Sequence, residues 1–309
     1  MSETTANIEQ LKEHIAQNPT DYDAQKELAF LYLDEGSLGF ALDIFENLTK
    51  TFPQDGDLFF NIGIVYEKMK NQQKALEAYQ KAVQISPEDA DYNYNLAFLY
   101  DQTGQIQKAI ELYKKVLILD NKDANCYFNL GCLLSKTNNS ENAIKCLEQA
   151  IKLNPQDAYA HFYLAYEYKR TGQKQLALSH YQKVIELNPE YSWAYYNIAC
   201  LYLETKNYDT ALHFVEKTLE INPNDIDAYK TLAKILYHTD QTEIAIEQLS
   251  DALEENPELA DLYCILGKLY SKQGQTQEAI NSYKTALLNS QNLKTPVEKI
   301  KQELNNLIG

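Results

Sequence analysis

The sequence predicts an all-α fold of tandem helical hairpins, and three observations predict it. Seven of the 8 prolines (Pro19, Pro53, Pro87, Pro155, Pro189, Pro223 and Pro257) stand 34 residues apart, or 68 where Asn121 fills the missing place. With the proline counted as position 32, repeats begin at Tyr22, Gly56, Ala90, Ala124, Ala158, Ser192, Ile226 and Ala260, and position 20 is alanine in every one, from Ala41 to Ala279. Position 8 is always Gly or Ala, position 7 always Leu or Ile, and position 11 always Tyr or Leu. A fixed period of this length marks a repeat array, in which each unit buries its apolar face against its neighbours.

The elements follow in order. Residues 7–18 carry Ile8, Leu11 and Ile15 in the register of a second helix, and read as an N-terminal capping half-repeat within 1–21. In each repeat of 22–293, positions 4, 7, 8 and 11 share one face of a first helix at 3.6 residues per turn. Asp55, Asp89, Asp123, Asp157 and Asp225 stand just before it as N-caps. Gly36, Gly104, Gly172 and Gly274 occupy position 15, where a left-handed residue ends a helix. Positions 20, 24 and 27 line a second helix, which the proline stops. The small residues at 8 and 20 let the two helices approach closely, while large residues at 7, 11 and 24 fill the space around them. In 294–309, Thr295 reads as N-cap, Pro296 as the first helical residue and Glu298 as the third, a capping box. Val297, Ile300, Leu304 and Leu307 form one apolar stripe, which reads as a cover for the last repeat, with a dimer contact as the alternative.

A 34-residue helical hairpin with small residues at 8 and 20 and proline at 32 resembles the tetratricopeptide repeat, over residues 22–293. Asn121 and Gln291 depart from the pattern at 32, and Thr218 departs at the usually small, apolar position 27. The resemblance implies a right-handed α-α superhelix, whose concave groove is lined by positions 2, 5, 6, 9 and 13 of the first helices and usually receives a partner peptide.

Composition narrows the function. The net charge is −16, and Arg170 is the single arginine among 28 basic residues, so the phosphate neutralisation that nucleic-acid binding requires is lacking. An anionic membrane surface would repel the chain, and no run of 18 apolar residues exists to span one. MSETTANIEQ has no apolar segment of a signal peptide. The five cysteines form no CxxC pair and read as free thiols of a reducing cytoplasm. The five histidines show no metal-ligand spacing, and no glycine-rich phosphate loop is present. No catalytic residues, metal or cofactor are therefore expected, and the chain is read as a non-enzyme, a monomer or weak homo-oligomer.

The candidate binding residues lie on the groove positions. Asn61, Asn95, Asn129 and Asn197 stand at position 6. A side-chain amide offers both a donor and an acceptor to an extended peptide backbone. Asn61, Asn95 and Asn129 look similar to the asparagine ladder of a glycosyltransferase in this family, although an Asn after an aromatic is also common there without one. Position 5 is aromatic through the middle of the chain, where part of the run packs between repeats. Repeats five and six add Tyr159 and Trp193 at position 2 and Tyr166 at position 9, beside Phe162 and Tyr196 at position 5. Such anchors dominate many interfaces. Lys230, Lys234 and Lys268 form a local basic group that suits a carboxylate or is simply solvated. The family's clamp for chaperone tails is incomplete: Lys26 and Asn61 fit it, but Phe30, Asp91 and Asn95 replace its other polar and basic residues. The expected function is a non-catalytic adaptor that binds an extended protein segment in its groove. The alternatives are a scaffold assembling through its convex face or end helices, or the recognition subunit of an enzyme complex.

Overall fold

The computed structural model describes residues 3–308 and divides into two compact units, Met1–Pro155 and Gln156–Gly309. The first unit holds α1 (Glu3–Gln17), α2 (Tyr22–Asp34), α3 (Leu38–Thr51), α4 (Gly56–Lys68), α5 (Gln72–Ile85), α6 (Ala90–Gln102), α7 (Ile106–Leu119), α8 (Ala124–Lys136) and α9 (Ser140–Leu153). The second holds α10 (Ala158–Arg170), α11 (Lys174–Leu187), α12 (Ser192–Glu204), α13 (Tyr208–Ile221), α14 (Ile226–His238), α15 (Thr242–Glu255), α16 (Ala260–Lys272), α17 (Thr276–Leu288) and α18 (Val297–Ile308), with a 3-10 turn at Ser290–Asn292. Every even-numbered helix from α2 to α16 begins at position 1 of its repeat. No strand occurs among the described residues.

The helix ends carry the chemistry expected of them. The carboxylates of Asp55, Asp89, Asp123, Asp157 and Asp225 accept backbone N–H groups two or three residues ahead, and so does that of Asp21. Position 15 is left-handed in all eight repeats: Gly36, Gly104, Gly172 and Gly274 have φ of 77, 73, 80 and 75°, and Lys70, Asn138, Lys206 and Asp240 have φ of 59, 60, 57 and 58°. A side chain there costs about 1 kcal/mol. Lys206→Gly is accordingly expected to raise the stability of the second unit by up to about 1 kcal/mol. Gly172→Ala, whose new methyl meets nothing within 4 Å, should lower it by a similar amount through backbone strain alone. Chemical denaturation of the two variants checks both signs.

The buried stripe is wider than the one predicted and is centred differently. Positions 7 and 8 are buried in all repeats, but position 3 is buried in all of them too, from Ala24 and Leu58 to Leu262. Position 10 is buried in seven, whereas positions 4 and 11 are often only half-buried, as at Tyr195 and Tyr202. Residues 3, 7 and 10 follow one helical stripe. A first helix packs against its own partner and against the next repeat, so it buries two adjacent stripes. In repeat five position 10 is Glu167, fully buried and paired with Arg170 at 2.7 Å from Nη2.

The C-terminal helix covers the last repeat in a way the capping-box reading missed. Ile300 is buried with Cys264, Tyr283 and Ala286, and Leu304 and Leu307 pack beside it. Thr295 does not cap the helix through its hydroxyl: that group donates to Asp261, as do the backbone N–H groups of Lys294 (2.7 Å) and Thr295 (2.9 Å). Glu298 pairs with Lys301 at 2.9 Å instead of turning back. Asp261, almost fully buried on α16, offers the stronger acceptor and fixes the entry to α18.

Candidate peptide-binding clefts

In the second unit, α10 and α12 flank a cleft of about 380 Å³ lined by Phe162, Tyr163, Tyr166, Tyr191, Trp193, Tyr196 and Asn197. The expected residues Phe162, Tyr166, Trp193, Tyr196 and Asn197 thus converge on one place. The ring of Phe162 is held edge-on by Tyr191 (5.1 Å between centroids) and by the fully buried Tyr181 (5.6 Å). Trp193 meets Tyr196 edge-on at 6.2 Å and keeps 51% of its surface exposed. Tyr159 does not line the cleft itself but touches its rim through Tyr191, at 5.8 Å. Burial pushes the Tyr196 phenol up to about 12 and also raises that of Tyr191, so both hydroxyls stay neutral donors at neutral pH. The arrangement is a set of aromatic walls on a helical frame, half-exposed at Trp193 and Tyr166. It suits an apolar or aromatic side chain of a partner.

Two lining residues escaped the sequence reading. Tyr163 stands at position 6, where four other repeats place asparagine. Tyr191 stands where most repeats place the capping aspartate, and α12 consequently has no side-chain cap. That replacement of a cap by an aromatic was the signal in the sequence.

The asparagines are placed differently from the expected ladder. Asn61 and Asn197 are buried, and their amides donate to backbone carbonyls one turn back, Asp57 at 2.7 Å and Trp193 at 2.8 Å. Asn95 does the same to Asp91 at 2.9 Å. Asn129 donates instead to the Tyr94 hydroxyl of the preceding repeat at 2.9 Å. Asn197 also accepts from Lys169 Nζ at 3.0 Å. An amide that returns its N–H to its own helix presents mainly an acceptor outward. Asn129→Ala should therefore cost about 1 kcal/mol of stability by leaving Tyr94 unpaired, while Asn95→Ala should stay within about 0.5 kcal/mol, as urea denaturation would show. The aromatics at position 5 also join repeats: Phe60 stacks on Tyr92 of the next repeat at 4.9 Å. Lys26 is engaged by Asp57 at 3.1 Å.

Further along the second unit, α14 and α16 flank a cleft of about 470 Å³ that brings together Lys230, Lys234 and Lys268 with Lys272 and His238. Burial pushes the Cys146 thiol up to about 11 and that of Cys264 up to about 12, and raises Cys126 and Cys200 as well, which keeps these four thiols protonated. Among the described residues no group of three His, Cys, Asp or Glu is placed to hold a metal ion, and no helix is long and apolar enough to cross a membrane.

Comparison with known proteins identifies the repeats. The family described as "Tetratricopeptide repeat" matches residues 56–89, 78–111, 124–157, 146–179 and 170–235. The family described as "Anaphase-promoting complex, cyclosome, subunit 3" matches residues 204–286. No curated protein matches the chain. Among solved structures, MamA is 29% identical with a TM-score of 0.51, over 52% of this chain and 95% of MamA. YrrB, described as a TPR protein with an unusual peptide-binding site, is 24% identical with a TM-score of 0.55, over 60% of this chain and 95% of its own. A chain of the APC/C hetero-tetramer Cut9-Hcn1 is 19% identical with a TM-score of 0.52, over 82% of this chain and 51% of its own. The last two likenesses are of fold.

Proposed function

Because the chain is a tetratricopeptide-repeat protein, and so a protein-interaction module, we propose that it acts as a non-catalytic adaptor that seats an extended segment of a partner protein in the cleft between α10 and α12. One observation carries the reading. Packing alone does not require Tyr166 and Trp193 to stand 44% and 51% exposed around the same concavity, yet five residues at groove positions meet there. Rigid aromatic side chains lose little conformational entropy on contact, which makes them efficient anchors. The free cysteines fit action in a reducing compartment, the cytoplasm.

A random peptide library displayed on phage, panned on the intact chain, tests the proposal. Selected peptides should carry an apolar or aromatic anchor and should lose their affinity for a Trp193→Ala/Tyr166→Ala variant. Peptides that bind the variant equally well would place the interaction elsewhere and overturn it.

A further inference from the structure

The cleft between α14 and α16 has a chemistry of its own. Its floor is apolar, made by Ala233, Ile265 and Leu269, and its rim carries Lys230, Lys234, Lys268 and Lys272. Lys230 is partly neutralised by Asp227 at 3.0 Å, and the Lys272 ammonium lies 3.6 Å from the centroid of the Tyr237 ring, a cation-π contact. Among the described residues no carboxylate pairs with Lys234, Lys268 or Lys272. In a chain of net charge −16 with many Asp and Glu available as partners, a cationic rim paired only at Lys230 around an apolar floor runs against the trend of the whole molecule and suits an anionic group.

This cleft continues the aromatic one. Between them lies a third concavity, flanked by α12 and α14, and Lys230 and Lys234 line both it and the lysine cleft. The carboxylate on its wall, Glu204, is taken up by Lys174 at 2.7 Å. The first helices of repeats five to eight thus present aromatic walls at one end and cationic walls at the other. Resting on the proposed adaptor function, we propose that the lysine cleft receives an acidic stretch of the same extended partner segment whose apolar anchor fills the aromatic cleft. Two repeats separate the clefts. With neighbouring helix axes about 10 Å apart, the span is about 20 Å, or about six residues of extended chain. The partner is then a segment with an aromatic or bulky apolar anchor and, about six residues away, a cluster of Asp or Glu.

The test uses the intact chain and fluorescein-labelled synthetic peptides followed by anisotropy. One peptide carries Phe-Leu-Phe, a six-residue Ser-Asn spacer and Glu-Asp-Glu-Asp; its control replaces the acidic block with Gln-Asn-Gln-Asn, and both are made in either chain order. In one order the acidic peptide should bind about tenfold more tightly than its control, and the gain should shrink as ionic strength rises from about 0.1 M to about 1 M. Lys234→Glu/Lys268→Glu should erase the gain while leaving the control peptide's affinity unchanged. Both lysines are exposed, so helical circular dichroism should be preserved. If the charge-reversed variant keeps the gain, the lysine cleft is not the site. If acidic and control peptides bind alike and both depend on Trp193, this inference fails while the adaptor reading stands. If neither peptide binds, or binding ignores Trp193, both fall.

Discussion

Replacing Gly63 by alanine is expected to lower the stability of the first unit by about 2 kcal/mol. A methyl group there would lie 2.4 and 2.5 Å from two carbons of the Tyr79 ring. That ring cannot easily yield: it is fully buried, its hydroxyl donates to Glu67, and Phe60 packs on it at 5.6 Å. Overpacking of this kind costs about 1–3 kcal/mol and occasionally more, and alanine's better helix propensity returns about 1 kcal/mol of it. The same substitution at Gly39 separates the two effects, because a methyl group there meets nothing within 4 Å, and it should stabilise by up to about 1 kcal/mol. Thermal denaturation of both variants gives the comparison. A second substitution, Tyr79→Leu, should relieve the clash in the Gly63→Ala background. A Gly63→Ala protein as stable as the parent would show that the Tyr79 ring yields to the added methyl group.

Trp193→Ala is expected to weaken partner binding by about 2 kcal/mol, roughly thirtyfold in Kd, with little change in melting temperature. The indole is half-exposed and touches Tyr196 only edge-on, so its removal opens no cavity in the core. What it removes is one wall of the aromatic cleft. Calorimetric titration with a library-selected peptide measures the loss directly. A large drop in melting temperature with unchanged affinity would make Trp193 a packing residue.

The repeats were legible because their signals are local. An aspartate before a helix, a left-handed residue after it and a proline beyond it act through the backbone within a few residues, whatever the tertiary surroundings. The burial pattern was less legible. Positions 3 and 10 share a helical face with 7, but which side of the apolar face is deepest depends on how the next repeat packs, and Glu167 shows that even the deepest position can be polar when Arg170 is at hand. At the candidate site, the helical positions of Phe162, Tyr166, Trp193 and Tyr196 pointed to one face and they do meet. Tyr191 was missed because it lies in the link before a helix, outside any helical period. The pairing of the amides was not legible, since a helical asparagine can spend its N–H on the carbonyl one turn back, and three of the four do so.

Trp193 is the chain's single tryptophan, so its emission reports on the aromatic cleft without labelling. The decisive measurement is a titration of the intact chain with a tryptophan-free peptide selected from the library, exciting the indole and following its emission while anisotropy of a labelled copy records binding. If the α10–α12 cleft seats the partner segment, the emission shifts to the blue in step with binding and saturates at one peptide per chain. An emission that stays unmoved while the peptide demonstrably binds would contradict the account.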